Sequence, residues 1–512
     1  MVLGVRHPGD VSEPRGLAGR AGWQLRLAGL GQPAIVAAVV AALFAYLAWP
    51  MGDFRVADPD VFWIAAVGRD VVRSHAMPHV NGYSFADGSY PWIMHEGLFG
   101  LLFFEGARMV GPAFFTLFGV GSAAALLFLL LAYVLGQSRS AAAGGLCGVV
   151  ILSCGNLLLS PRPAFVALLF VAGMIAVAVR PGWSVARAAA AVGLELVWTN
   201  AHGSFPLGVV LVLVAALDDG RTKDERRRWL ATAALAALVT LVNPYGYRLH
   251  GLVDRYLRGS DETGHIIQTH IQGFAHLWRG FGTGFVTGRS LAVLVLLVVL
   301  AIRAIARRKG IARAVVVLAG VGMAVYQVRT VALAIVLGVL LLHDAVDDAL
   351  APVGLASTAK RWAPWIAAAA VLPGLLLGAG SWGKSFRERS PLAWVNPSLG
   401  GMPFLRLIHA LPDGARVYAP FKPSALVLWF EAERGVKVLY DPRNDCYSPE
   451  VARGALELGG ARQSREAIVD FLDRYGTEYA VVPHGPIATA LTNDSSWERW
   501  RGDGEWAAFH RR

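Results

Sequence analysis

The sequence predicts an all-α polytopic membrane protein of about eleven transmembrane helices, followed by a small C-terminal α/β domain. Three observations lead to this fold class: 55% of the 512 residues are hydrophobic, 16% are charged, and the mean hydropathy is +0.48. That balance lies outside the usual range of soluble domains. The apolar residues also fall in many separate segments, as expected for membrane spans of about 20 residues.

The predicted spans alternate in direction and define two sets of loops. Eleven segments are apolar enough to be membrane spans: 33–50, 111–135, 141–159, 162–179, 185–199, 203–217, 229–243, 289–303, 311–326, 329–343 and 362–380. With the N-terminus in the cytoplasm, the inside loops are 1–32, 136–140, 180–187, 218–228, 303–313 and 344–361, and they hold 19 Lys and Arg against nine Asp and Glu. Lys and Arg collect in cytoplasmic loops, so the sequence predicts this orientation.

The same asymmetry explains the formal charge of +11, which therefore does not indicate a nucleic-acid partner. We expect a multi-pass protein of the inner (plasma) membrane with a cytoplasmic segment 1–32, a membrane domain 33–382 with outer loops 51–110 and 244–288, and an extracytoplasmic domain 383–512. Short apolar runs alternate with helical patterns in that last domain, and Ser464 is placed to cap one helix. It has no Gly-rich phosphate loop and no Ser/His/Asp signature.

The first outer loop opens with two carboxylates one residue apart, in the stretch "ADPDVFW". Residues 60–73 have apolar positions at helical spacing, with Asp60, Arg69, Asp70 and Arg73 towards the other face. This pattern predicts a helix that lies along the membrane surface. Asp58 would then suit the N-cap of that helix, and Asp60 its first turn.

Polar residues at the ends of the spans all fall on the predicted outer side. The set comprises Asp58, Asp60, His79, His95, Glu96, Arg162, Asn200, His202, Asn243 and Arg329. Burial beside hydrocarbon is costly for such groups unless they have a partner or a function. Each also has a structural alternative, since Asn200 and His202 suit a hairpin, Asn243 precedes Pro244 as a helix stop, and arginines reach towards the membrane surface. The functional interpretation therefore depends on the whole set.

Several motifs in order along the chain resemble one family. The outer loop "DPDVFWIAAVGRDVVRSHAMPHVNGYSFADGSYPWIMHEG", followed by "RPAF", "NAHGSF", "NPYG" and "LYDPRNDCY", is similar to a bacterial group within the GT-C superfamily of membrane glycosyltransferases. The sequence differs from that pattern in three places: Val61-Phe62-Trp63-Ile64 follows Asp-Pro-Asp where the group commonly has aromatic and His residues, Gly97 replaces a Trp, and Asn81 replaces an Asp.

The resemblance implies a fold, a reaction and a set of residues. The donor would be a sugar on a polyprenyl phosphate, with Asp58 as the principal catalytic carboxylate and Asp60 as its companion, and the acceptor would be a component of the cell envelope. Substrate-binding roles would fall to the other eight residues of the set, with Arg162 or Arg329 beside the leaving phosphate. No cofactor is certain, and a divalent cation stays open because two acids alone supply too few oxygen ligands.

Two other classes of protein remain as alternatives. A lipid or solute transporter would often show inverted repeats and charges near the middle of the membrane, whereas here the polar set lies at span ends and no repeat is evident. A catalytically silent scaffold would use its outer domain to bind envelope partners. The positions of the polar residues favour the glycosyltransferase.

Overall fold

A computed structural model gives the fold. It describes residues 56, 58–111, 113–138, 162–281, 286–350, 363–372, 375–376, 395–458 and 463–512, with isolated positions at 37, 40, 41, 144, 146, 148 and 150. The predicted N-terminal segment, most of the predicted spans 33–50 and 141–159, and the boundary at residue 383 lie outside the described residues.

Helices form most of the described chain before residue 395. The first outer loop holds α1 (Pro59–Ser74) and α2 (Gly97–Val110), and the second holds α8 (Arg248–Arg258) and α9 (Glu262–His270). The other helices are α3 (Ala113–Gln137), α4 (Pro163–Ala178), α5 (Val185–Ala201), α6 (Pro206–Leu217), α7 (Lys223–Val239), α10 (Gly288–Ala306), α11 (Ile311–Tyr326), α12 (Val331–Leu341), α13 (His343–Leu350) and α14 (Ala363–Leu372).

Each predicted span in the described part of the chain coincides with a helix. Two of these helices, α3 and α10, are by themselves long and apolar enough to cross a membrane, and a third crossing results if the bent pair Val328–Leu341 and His343–Ala349 is one span. The chain is thus a helical membrane protein, while the number of eleven crossings stays a prediction. Helix α7 starts six residues before its predicted span because Thr222 and Glu225 form a capping box.

The loops that are predicted to lie on the cytoplasmic side are in contact with one another. Arg313 donates to Asp218 at 2.9 Å and to Asp344 at 3.1 Å, and these two acids belong to different loops. Arg221 donates to the carbonyl oxygen of Arg180 at 2.6 Å. These contacts place loops 180–187, 218–228 and 303–313 and the start of 344–361 at one end of the helices, as the alternation of spans predicts.

A five-stranded mixed sheet follows the helices, with strand order β2-β1-β3-β5-β4. Its strands are β1 (Arg416–Tyr418), β2 (Lys437–Val438), β3 (Tyr479–Pro483), β4 (Trp497–Asp503) and β5 (Trp506–Arg511), and its helices are α15 (Gly401–His409), α16 (Ser424–Phe430), α17 (Pro449–Leu458), α18 (Arg465–Arg474) and α19 (Pro486–Thr492). Strand β1 is parallel to β2 and β3, and β5 is antiparallel to β3 and β4. Ser464 caps α18 as expected, and β4 was not predicted because four of its seven residues are charged.

The first outer loop extends this sheet at β2. The amide of Val438 donates to the carbonyl oxygen of Tyr83 at 3.0 Å, and the amide of Phe85 donates to that of Val438 at 3.1 Å. Next to this contact, Arg443 pairs with Asp441 at 2.6 Å, with both side chains fully buried, and also donates to Asn81. The outer loop and the C-terminal sheet are therefore packed as one unit.

Helix α1 is buried, which corrects the prediction of a helix lying on the membrane surface. One side packs against α2 so closely that a Cβ on Gly68 would come within 1.9 Å of the carbonyl oxygen of Gly100. On another side, Arg69 is only 5% exposed and donates to the carbonyl oxygens of Leu428 and Trp429 at the end of α16. The guanidinium satisfies carbonyls that lack partners in the last helical turn, so this charged position faces protein rather than water.

The close packing of α1 on α2 predicts the effect of Gly68→Ala. The added methyl group has no space, so we expect a loss of about 1–3 kcal/mol in the free energy of unfolding, measured as a lower midpoint of thermal unfolding in detergent. Gly251→Ala is the matched control in helix α8, because nothing lies within 4 Å of its Cβ position. Equal midpoints for the two variants would contradict the packing.

Candidate active site

Asp58 caps the N-terminus of α1 and also contacts a second helix. Its Oδ1 accepts from the amide of Asp60 at 3.1 Å, and its Oδ2 accepts from Nε of Arg162. Arg162 is the N-cap residue of α4, and a proline follows both Asp58 and Arg162 at the first helical position. Proline favours that position because its fixed φ suits a helix start. One ion pair thus joins the starts of two helices.

Asp60 lies in the first turn of α1 and is the more accessible of the two acids. Its Oδ1 accepts from Nε1 of Trp63 at 3.0 Å, and its Oδ2 lies 4.0 Å from Nε of Arg162. The Asp60 side chain is 30% exposed, whereas that of Asp58 is 8% exposed. Burial raises the pKa of Asp60 from about 3.8 to about 6, although Arg162 lowers it. Asp60 can therefore gain or lose a proton close to neutral pH.

Glu96 and two histidines form a second polar group. Oε1 of Glu96 lies 3.9 Å from Nε2 of His95 and 3.8 Å from Nε2 of His202, which is too far for direct hydrogen bonds. Burial raises the pKa of Glu96 well above its usual range, with Asp60 as the next cause. Burial also lowers the pKa of His95 to about 4 and that of His202 to about 3. At neutral pH the imidazoles are uncharged and suit hydrogen bonds with hydroxyl groups.

Arg329 is held by aromatic rings next to this polar group. Its guanidinium lies 3.8 Å from the ring centre of Phe274 and 5.7 Å from that of Tyr256. The Tyr256 ring also packs against His95 at 5.7 Å. Arg329 itself is exposed, and such a stacked, accessible guanidinium is suited to an anion such as a phosphate.

Asn200 and Asn243 are occupied by backbone groups. The amide nitrogen of Asn200 donates to the carbonyl oxygens of Leu196 and Val242, both at 2.9 Å. That of Asn243 donates to the carbonyl oxygens of Thr240 and Gly246. These contacts give both side chains the structural role considered as an alternative, and a contact with substrate stays a prediction.

His79 lies apart from the other predicted site residues. Its ring packs edge-on against Tyr245 at 5.3 Å, and it lines a cavity of about 360 Å³ together with Asp70 and Lys437. The structure thus places His79 where the outer loop faces the C-terminal region. Its role in binding substrate stays a prediction.

A divalent cation has no evident set of ligands. Within the described ranges, no three His, Cys, Asp or Glu side chains are arranged to hold a metal ion. Arg162 supplies the positive charge between Asp58 and Asp60. The described residues around Asp58 and Asp60 therefore do not fit a metal site.

Sequence reasoning missed two residues of the C-terminal region that act on this site. Asp445 accepts from Nε1 of Trp92 at 3.1 Å, and its charge influences Glu96. Lys422 lowers the pKa of Asp60 by its charge. The signal for Asp445 was the cluster of charged residues in "LYDPRNDCY", an otherwise apolar segment. Lys422 gave no such signal.

Comparison with solved structures identifies the fold. The oligosaccharyltransferase of Archaeoglobus fulgidus, solved with a tethered acceptor peptide containing the NVT sequon, matches with a TM-score of 0.50 and 11% identity over 87% of this chain and 69% of that chain. The fold is GT-C-like. ArnT from Cupriavidus metallidurans matches with a TM-score of 0.49 and 15% identity in the apo state, over 96% of this chain and 98% of that one. The structure of ArnT bound to undecaprenyl phosphate matches with a TM-score of 0.48 and 14% identity, over 92% of this chain and 97% of that chain.

No protein-family model matches the sequence, and no curated protein matches it. The match to the oligosaccharyltransferase structure confirms the GT-C-like fold that the motifs predicted. At these identities the likeness concerns the path of the chain, and the roles of individual residues have to be argued from the geometry of the site.

The geometry predicts that Arg162 controls the ionisation of Asp60. Replacing Arg162 by Gln removes a positive charge that lowers the pKa of Asp60, so we expect this pKa to rise above its value of about 6. The measurement is labelling of Asp60 by a carbodiimide and an amine as a function of pH, quantified by peptide mass spectrometry. Arg162→Lys retains the charge and should shift the midpoint less. An unchanged midpoint in Arg162→Gln would contradict the assignment.

Proposed function

We propose that the protein is a membrane glycosyltransferase, which transfers a sugar from a polyprenyl-phosphate donor to an envelope acceptor at the extracytoplasmic face. The observation that carries the proposal is an accessible carboxylate, Asp60, beside Arg162 at the joined starts of α1 and α4. The GT-C-like fold, shared with an oligosaccharyltransferase, supports the same kind of reaction.

The exposures suggest different roles for the two acids. Asp58 is largely buried and is occupied by Arg162 and the helix N-terminus, so it fixes the position of the guanidinium. Asp60 is accessible and accepts the proton of the acceptor hydroxyl. The motif alone pointed to Asp58 as the principal carboxylate, and the structure favours Asp60 for the contact with substrate.

The transfer then proceeds as a substitution at the anomeric carbon. The acceptor oxygen forms a bond to this carbon as Asp60 takes its proton, and the bond from the carbon to the phosphate oxygen breaks. The polyprenyl phosphate leaves with the electron pair, and the guanidinium of Arg329 stabilises its charge. His95 and His202 are uncharged near neutral pH and suit the sugar hydroxyls, and the neighbouring Glu96, whose pKa burial raises, can also bond to them.

A lipid flippase is the second candidate, and the fate of the donor separates the two. A flippase moves the lipid-linked sugar without breaking its glycosyl-phosphate bond, whereas a transferase releases free polyprenyl phosphate. The lipid-linked species that accumulates in a strain without the protein would also distinguish both from a silent scaffold. The paired carboxylates beside Arg162 favour bond cleavage.

The first functional prediction concerns Asp60→Asn. We expect it to slow the cleavage of labelled polyprenyl-phosphate sugar by about 10²–10⁴-fold, because the amide cannot accept the proton. Asp58→Asn should also slow the reaction, since Arg162 loses its ionic partner. In the wild-type protein the rate should rise with pH through about 6, as Asp60 changes from acid to carboxylate.

Glu105→Gln is the matched control for these variants. Glu105 is a partly exposed acid of α2 that pairs with Arg108, outside the candidate site, so its replacement should leave the rate unchanged. Full cleavage by a folded Asp60→Asn variant would remove Asp60 from the mechanism.

The proposal also predicts which face of the membrane carries the site. Arg474 is exposed in the C-terminal region and Arg227 is exposed at the opposite end of the helices. In a chain whose own cysteines are replaced by alanine, Arg474→Cys should react with a membrane-impermeant maleimide in intact cells, and Arg227→Cys only after lysis. The reverse result would place the site in the cytoplasm and refute the proposed donor geometry.

A further inference from the structure

Trp92 of the outer loop is held by two residues of the C-terminal region. Its Nε1 donates to Oδ1 of Asp445 at 3.1 Å, and the guanidinium of Arg443 lies 4.7 Å from the centre of its ring. Arg443 is itself fixed by the buried ion pair with Asp441. Trp92 is buried, so its orientation is set by residues more than 300 positions later in the chain.

Trp92 in turn contacts the tryptophan that binds Asp60. The rings of Trp63 and Trp92 meet edge-on, with centres 6.3 Å apart and an interplanar angle of 64°, a favourable arrangement for an aromatic pair. Trp63 then donates from Nε1 to Oδ1 of Asp60 at 3.0 Å. A continuous series of contacts therefore runs from Asp445 through two indoles to Asp60.

A purely structural role does not explain the free-energy cost of burying the Asp445 carboxyl group. It is 2% exposed, and its Oδ2 has no hydrogen-bond partner within the described residues. Burying an oxygen that lacks a partner costs free energy, and packing alone would be served as well by a less polar side chain. The need for a fixed hydrogen-bond acceptor for the Trp92 N–H explains why a carboxyl group occupies this position.

We propose that Asp445 is a positioning residue for Asp60 and acts through Trp92 and Trp63. The inference rests on the proposed function only in treating Asp60 as the reacting carboxylate. The C-terminal region would thus shape the reaction centre rather than serve as a separate binding module.

The charged groups around Asp60 allow a sharp test. Asp58, Arg162 and Lys422 influence Asp60 by charge, and the charges of Asp60 and Asp445 both influence Glu96. A variant that removes only the charge of Asp445 therefore has to be compared with one that also removes the hydrogen-bond acceptor. Asp445→Asn keeps an oxygen acceptor for Trp92, and Asp445→Ala removes it.

The experiment follows the carbodiimide labelling of Asp60 in the full-length protein in detergent, from about pH 4.5 to about pH 8, quantified by peptide mass spectrometry. Asp445→Ala should raise the labelling midpoint by about 0.5 to 1 pH unit, because Trp63 no longer stabilises the carboxylate. Asp445→Asn should behave as the wild-type protein does. Trp63→Phe should raise the midpoint directly, and Asp445→Ala should add nothing to it in the double variant.

Several results would overturn the proposal. These are an unchanged midpoint in folded Asp445→Ala, equal shifts in Asp445→Ala and Asp445→Asn, or shifts that add in the double variant with Trp63→Phe. Asp503→Asn breaks an exposed ion pair with Arg406 in the same region and should have no effect; a shift as large as that of Asp445→Ala would also refute the pathway.

If Asp445→Ala does not fold, Trp92→Phe replaces it, because phenylalanine keeps the ring contact but has no N–H to donate. A raised midpoint supports the proposal, and a wild-type midpoint overturns it. Labelling does not require sugar transfer. A failure of the donor-cleavage assay would therefore count against the proposed function and leave this inference standing.

Discussion

The candidate site depends on one cation, Arg162, which satisfies Asp58 and lies close to Asp60. Two acids this close together would otherwise repel each other, and the buried Asp58 would bear the cost of leaving water without a partner. The guanidinium removes much of that cost, and it does so at the point where two helices begin. The helix starts and the candidate reactive carboxylate, Asp60, are therefore held by the same guanidinium.

The C-terminal sheet has a comparable role on the other side of α1. Arg69 reaches the end of α16, and the buried pair of Arg443 and Asp441 holds Asn81 of the outer loop. Buried ion pairs are not strong sources of stability, but removing one partner is costly. These contacts fix the outer loop relative to the sheet. The polar groups that lie between the two are therefore also held in place.

Patterns in the sequence were sufficient to predict the helices and the strands that carry apolar runs, and they marked Asp58, Asp60 and Arg162, which the structure brings together. Helical spacing predicted α1, and the length of an apolar segment predicted α4, almost to the residue, and Asp58 is the N-cap that its position suggested. Periodicity could not show that Arg69 faces protein, because its partners are backbone carbonyls some 360 positions away. For the same reason sequence reasoning did not connect Asp445 or Lys422 to Asp60, and β4 was missed because four of its seven residues are charged.

The two edges of the sheet are protected in different ways. An open strand edge offers unpaired amides and carbonyls to other chains and so favours aggregation. At β4 the edge carries exposed charged side chains and an irregularity between Arg499 and Arg501. At β2 the protection is the outer loop itself, through Tyr83 and Phe85. A C-terminal fragment made without the outer loop would therefore expose the open edge of β2 to pairing with other chains.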